Sequence, residues 1–273
     1  MNKDTIDGLR HTLERNLLKN VLIRLDYSGI DDIQKAISNN EQFFGHHFAV
    51  YTRGKANNAS LDLTNVDDIA KTLSIPVREI KSETVHTYSG WRGEQQDDVK
   101  LSITSYYTTL NVACRDYKTI DEYLAFIKEL IVMMYGIFSF MDIKRIGIRK
   151  LGGDTFKSIN QMFQVYKREL FFGQDIDSSA KFLQREYTDR YAFADGSMKV
   201  NYSRNYRLRV VDGQDNYQAM LDIDGYVDES NISKHHNVKD DSMKVLEFIN
   251  TNIDEVFFNS VTKEYINKKG KYE

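Results

Sequence analysis

Twice along the chain a group of segments with two-residue alternation gives way to one long segment with a helical period. This succession limits the fold more than any motif does. In the first group, residues 20–27 set Val21, Ile23, Leu25 and Tyr27 against Leu22, Arg24 and Asp26. Ser28-Gly29 ends that strand, and Asp31 or Asp32 can cap a short helix running to Ser38. Further strands are expected at 48–53, 79–90, 99–105 and 107–115, the last with Thr108, Leu110, Val112 and Cys114 on one face. A weak helical pattern at 66–73 ends near Pro76. Residues 119–138 then carry Ile120, Tyr123, Leu124, Ile127, Leu130, Ile131, Met134 and Phe138 on one helical stripe.

A further strand at 142–150 completes the first group, Gly152-Gly153 is expected to end it, and a helical segment at 156–170 follows the break. Strands at 181–193, 198–211 and 217–228 follow, separated by the hairpin signals Asp195-Gly196 and Asp212-Gly213. The closing helix, 238–265, stripes Met243, Leu246, Ile249, Ile253, Val256, Phe257 and Val261. Each element has one apolar side to bury, which predicts an α+β fold. The expected form is two similar lobes, each an antiparallel sheet of three or more strands with a long amphipathic helix packed on one face. The lobes would span 1–152 and 153–273, or share one continuous sheet. The repeat is one of architecture, without residue identity between the halves.

Composition removes several classes. With 41% hydrophobic and 28% charged residues the chain is globular and not disordered. A net charge of -3 disfavours a protein that coats nucleic acid. One cysteine, Cys114, excludes an internal disulfide and a cysteine zinc site, and its place on an apolar strand face predicts a buried, inert thiol. Residues 1–16 have no apolar signal core, and the most apolar run, 130–141, falls short of the ~20 residues that span a bilayer. The expectation is a cytoplasmic protein with no membrane association. Its Ile, Lys, Asn, Asp and Tyr usage points to an AT-rich bacterial or phage genome.

Ser89-Gly90-Trp91-Arg92, Tyr117-Lys118-Thr119, Arg145-Ile146-Gly147-Ile148-Arg149, Leu221-Asp222-Ile223-Asp224-Gly225-Tyr226 and Val261-Thr262-Lys263-Glu264 occur in that order. Together they resemble a sporadically distributed bacterial family of unknown function, over most of residues 84–265. The chain departs from that family at Lys150 and Leu151, where the family has tyrosine and asparagine, and lacks its proline-rich opening. The resemblance implies a two-lobed α+β fold and an association with defence or mobile-element loci. It implies no reaction.

Among candidate site residues, Arg145 and Arg149 flank Gly147 on one strand face, where two guanidiniums can receive a phosphate or carboxylate or else pair with acids on a neighbouring strand. Trp91 and Arg92 offer either a loop anchor or a recognition pair. The basic and aromatic run at 199–210 separates by alternation. Lys199, Asn201, Ser203, Asn205, Arg207 and Arg209 lie on one face, and Val200, Tyr202, Arg204, Tyr206, Leu208 and Val210 on the other. Pairing with 217–228 is expected to set Arg207 opposite Asp222 and Asn205 opposite Asp224, so that charges satisfy one another. Asp222 and Asp224 share a strand face, but no glutamate closes a calcium loop and no nuclease partner follows.

His46-His47 and His235-His236 read as loop histidines, since extended neighbours point to opposite sides, and His86 as a hydrogen-bonded sheet histidine. Nucleophile-elbow and phosphate-loop motifs are absent from the sequence. No catalytic residue, metal or cofactor is assigned. Arg145, Arg149, Trp91 and Arg92 stand as ligand-binding candidates. The leading expectation is a non-enzymatic binding or regulatory component with a protein partner or a second copy of itself, with nucleic acid not favoured. The alternative is a nucleic-acid- or nucleotide-processing enzyme using Arg145 and Arg149 with Asp222 and Asp224.

Overall fold

A computed structural model describes residues 17–30, 32–56, 83–115, 117–172, 183–211, 213–232, 238–269 and 271. The expected helix at 66–73, Pro76, Asp212, His235 and His236 lie outside them, as do residues 1–16. The fold is α+β, with nine strands in one antiparallel sheet among the described residues. In chain order these are β1 (Leu18–Ser28), β2 (Phe48–Ala56), β3 (Glu83–Trp91), β4 (Asp98–Ile103), β5 (Tyr107–Ala113), β6 (Asp142–Phe156), β7 (Gln184–Ala192), β8 (Lys199–Val211) and β9 (Gln214–Asp228). The α-helices among the described residues are α1 (Ile33–Ser38), α2 (Glu41–His47), α3 (Asp121–Ile137), α4 (Ile159–Val165), α5 (Val238–Ser260) and α6 (Lys263–Asn267).

The strand order is β2-β3-β4-β5-β1-β6-β9-β8-β7. Strands β1 and β6 therefore lie side by side in the middle, with Ile23 opposite Ile148. The sheet runs unbroken through this joint, and residue 152 lies inside β6.

Alternation sets which side chains go inward. Val21, Ile23 and Leu25 of β1, Val99, Leu101 and Ile103 of β4, Leu110 and Val112 of β5, and Ile146 and Ile148 of β6 are all buried. Against this face α3 buries Tyr123, Leu124, Phe126, Ile127, Leu130, Ile131 and Met134, while Lys128 and Glu129 remain exposed. Helix α5 buries Leu246, Ile249, Ile253 and Phe257, and packs on β6 and β9. Fully burying such a side chain contributes about 1.5–3 kcal/mol. Gly225 makes the approach of α5 to β9 feasible, because a Cβ there would sit 3.2 Å from the Ile249 side chain and closer still to Ile253. No helix among the described residues is long and apolar enough to cross a membrane.

Four local expectations fail for physical reasons. Gly152-Gly153 does not end a strand: Gly152 pairs with Leu221, the Gly153 N–H donates to Leu17 O at 2.8 Å, and β6 continues to Phe156. The helix expected over 156–170 shortens to α4, capped by the Ser158 hydroxyl, which accepts from Gln161 N. The closing helix breaks after Ser260 because Val261 bridges to Tyr166 and the Thr262 N–H donates to Val165 O. Thr262 then caps α6 by accepting from Tyr265 N at 3.0 Å. His46 and His47 are not loop histidines but form the last turn of α2.

Candidate functional site

One face of the sheet carries the helices, and the opposite face carries a ladder of charged side chains across its central strands. Arg24 and Asp26 come from β1, Arg145 and Arg149 from β6, Asp222, Asp224 and Asp228 from β9, and Lys199 from β8. Strand alternation alone places them there, since their neighbours Ile23, Ile146, Ile148 and Ile223 point into the core.

The charges are used on one another. Arg145 Nη2 donates to both carboxylate oxygens of Asp224, at 3.1 and 3.0 Å, and Arg145 Nη1 lies 3.7 Å from Asp26. Arg149 donates through Nε and Nη2 to the two oxygens of Asp222, at 2.7 and 2.5 Å. Arg24 Nε donates to Asp26 at 2.7 Å, and Lys199 Nζ to Asp228 at 2.7 and 3.0 Å. Asn201 adds a donor to Asp224 at 3.2 Å. Four cations thus face four carboxylates. The Asp222 carboxylate, by its hydrogen bonds and charge, holds the Arg149 guanidinium protonated beyond its usual range against the opposing effect of burial. At Asp228 burial pushes the carboxyl upward, but hydrogen bonds from Lys199 and Ser230 outweigh it and leave the pKa lowered.

The pairs are diagonal. In the backbone register Arg145 faces Asp228 and Arg149 faces Asp224, yet the side chains reach Asp224 and Asp222. Gly147 explains the reach of Arg145. It sits opposite Tyr226, and a Cβ on it would be 3.0 Å from the Tyr226 Cβ, 3.1 Å from Gly225 O and 3.6 Å from Arg145 Nη2. The guanidinium instead lies along the strand over the Tyr226 ring, 4.5 Å from its centre. The close approach that Gly147 permits is therefore to the protein's own side chains. Arg24 packs likewise over Tyr107 at 4.8 Å.

The expected β8–β9 register is shifted by four residues. Val211 pairs with Gln214, so Arg207 faces Gln218 while Ser203 faces Asp222 and Asn201 faces Asp224. The arginines that satisfy Asp222 and Asp224 come from β6 instead. Arg204 is an inward exception on β8: it pairs with Asp189 and lies over the rings of Tyr187 and Tyr202.

Trp91 and Arg92 belong to a different place. Trp91 packs on the helix side against Phe48, Phe126 and Tyr123, with ring centres at 5.2, 5.4 and 5.8 Å, and stacks on His47 at 5.9 Å. Arg92 donates to Gly45 O at 2.8 Å and so ties the end of β3 to α2. The loop beyond it clamps the start of α3. Glu122 accepts from Glu94 N at 2.6 Å, and Gln95 Oε1 accepts from Lys118 N at 2.8 Å. The structure brings Arg145 and Arg149 together with Asp222 and Asp224. It does not bring Trp91 or Arg92 to them.

His86 is fully buried on β3, with Nδ1 2.8 Å from the Tyr51 hydroxyl, as a sheet histidine should be. Cys114 is half-buried just past β5 and not fully enclosed. Among the described residues no group of three or more His, Cys, Asp or Glu is placed to hold a metal ion.

Sequence reasoning missed a buried polar cluster behind the ladder. Lys150, 3% exposed, donates through Nζ to Asn250 Oδ1 at 2.6 Å and Asp254 Oδ1 at 2.7 Å on α5. Its signal was available. Lys150 continues the inward set of Ile146 and Ile148, and Asn250 and Asp254 stand one helical turn apart beside the apolar stripe of α5.

No protein-family model and no curated protein matches the chain.

Proposed function

We propose that the chain is a non-enzymatic binding component that docks a protein partner on the open face of its sheet. The observation that carries this reading is the self-neutralised ladder. A catalytic acid, base or phosphate clamp needs a group whose charge is turned toward substrate. Here each arginine is committed to a carboxylate of the same sheet. A phosphate would have to displace Asp222 or Asp224, and the balanced ladder supplies no net field to gather one. What the face offers is arginine and tyrosine held rigid among polar side chains, the composition favoured at protein–protein interfaces. The order of elements supports a companion reading of the chain as two similar halves, 1–152 and 153–273, each with an antiparallel run of strands followed by a long helix. The ladder then lies across their joint.

The test compares partner capture by the wild-type protein, by Ser102→Arg and Ser203→Arg on the open face, and by Val132→Arg on the exposed side of α3. A protein held by wild type and Val132→Arg but lost at least tenfold by both open-face variants supports the proposal. A second copy of the chain, detected as a dimer by sedimentation and abolished by the same variants, would be that partner. Capture that ignores the open-face variants contradicts it. So does nucleic-acid binding at low salt, or nucleotide turnover that Arg149→Ala abolishes.

A further inference from the structure

Between α1, α2 and the edge strand β2 lies a cavity of about 340 Å³, remote from the ladder and within the size range of small-molecule sites. Its walls are aromatic. Phe44 of α2 stacks on Tyr88 of β3 with ring centres 4.4 Å apart and planes 13° apart. Tyr51 of β2 leans against Tyr88 at 5.0 Å, and its hydroxyl is fixed by His86. Phe44 and Tyr88 are 2% and 5% exposed, so their rings hold their places without a ligand.

Glu41 is the one charged side chain among the described lining residues. Glu41, in the first turn of α2, is exposed and supplies a carboxylate. None of the described lining residues is Lys, Arg or His. Burial first, then the neighbouring Tyr51 and the charge of Glu41, push the Tyr88 phenol upward, so it remains neutral. A carboxylate and aromatic faces, with no cationic side chain among the described lining residues, favour a positive guest. Ring faces attract cations and bury the alkyl groups around them.

We propose that this cavity binds a small organic cation, an alkylammonium whose alkyl groups lie on Phe44, Tyr51 and Tyr88 and whose charge is met by Glu41. The reading is independent of the open face.

The experiment titrates choline and 3,3-dimethylbutan-1-ol, its uncharged counterpart of the same shape, into the full chain by calorimetry. Fluorescence of the single Trp91, whose ring centre is 5.2 Å from that of Phe48 on the cavity wall, gives a second readout. Choline should bind saturably, and the alcohol at least tenfold more weakly. Glu41→Gln should weaken choline about three- to tenfold, leave the alcohol unchanged and leave the melting temperature unchanged, because Glu41 is exposed. Equal affinity for the two compounds overturns the proposal. So does the absence of saturable choline binding at tens of millimolar, or a Glu41→Gln variant that binds choline as wild type does.

Discussion

Arg149 and Lys150 are adjacent on β6, yet their ion pairs live in opposite surroundings. Arg149 points to the open face, where its side chain is 46% exposed and its partner Asp222 26% exposed. Lys150 points under α5, where it and Asp254 are 3% and 2% exposed. An exposed pair gains little, because water competes for both charges and salt screens them. A buried pair has already lost its hydration. Its attraction only offsets that loss, but removing one partner strands the other charge. The two pairs differ in geometry, a two-bond guanidinium–carboxylate fork against a single ammonium shared between Asp254 and Asn250, but they differ most in burial. Burial decides which pair the fold depends on.

The largest effect should follow from breaking the buried side. Lys150→Met leaves Asp254 without its cation and is expected to cost about 3–5 kcal/mol in urea unfolding. Adding Asp254→Leu should restore part of that loss by removing the stranded charge, with the remainder due to Asn250 Oδ1, which loses its donor. If Lys150→Met alone unfolds like wild type, the buried pair is not the tie between β6 and α5.

Gly147→Ala should come next, at about 1–3 kcal/mol, because its methyl group crowds Tyr226 and Gly225 O at 3.0 and 3.1 Å. The variant should also turn Arg145 away from Tyr226, visible as a shift of the Tyr226 ring resonances. An unshifted ring would show that Gly147 does not govern the reach of Arg145.

A smaller effect should appear with pH. Burial lowers the pKa of His86, with a further push from Arg53, and burial lowers that of His47 against the opposing charge of Glu129. The folded chain thus holds both imidazoles neutral below 6.5, the ordinary histidine value at which the unfolded chain takes up protons. Stability should therefore be full above that value and fall as pH drops below it. His86→Gln should flatten the decline between pH 7 and 5, and a melting temperature independent of pH over that range would contradict the assignment.

The sequence was most legible where one period dominated a long segment. The inward set of β5 and the buried stripe of α3 follow from alternation and helical spacing alone, because one face of each meets the core. It was least legible where partners distant in sequence decide. The short helix α2 has no side-chain cap, and aromatic contacts of Phe44 with Tyr88 and of Phe43 with Phe126 hold it in place. The break between α5 and α6 depends on the backbone after α4, 95 or more residues away, which no local pattern reports. At the candidate site, alternation placed Arg145, Arg149, Asp222 and Asp224 on shared strand faces. It could not show that β6 would lie beside β9, so it sets Asp222 opposite Arg207 and Asp224 opposite Asn205, where the structure pairs them with Arg149 and Arg145.

The most direct test is a double-mutant cycle on the open face, with Arg149→Ala, Asp222→Ala and the double variant compared by urea unfolding. Residues that serve each other should couple favourably by about 0.2–1 kcal/mol, less at high salt, with each single change slightly destabilising. Residues held apart for a substrate behave otherwise, because groups kept for activity commonly cost stability. Zero coupling, with either single variant more stable than wild type, would contradict a ladder whose charges are there for one another.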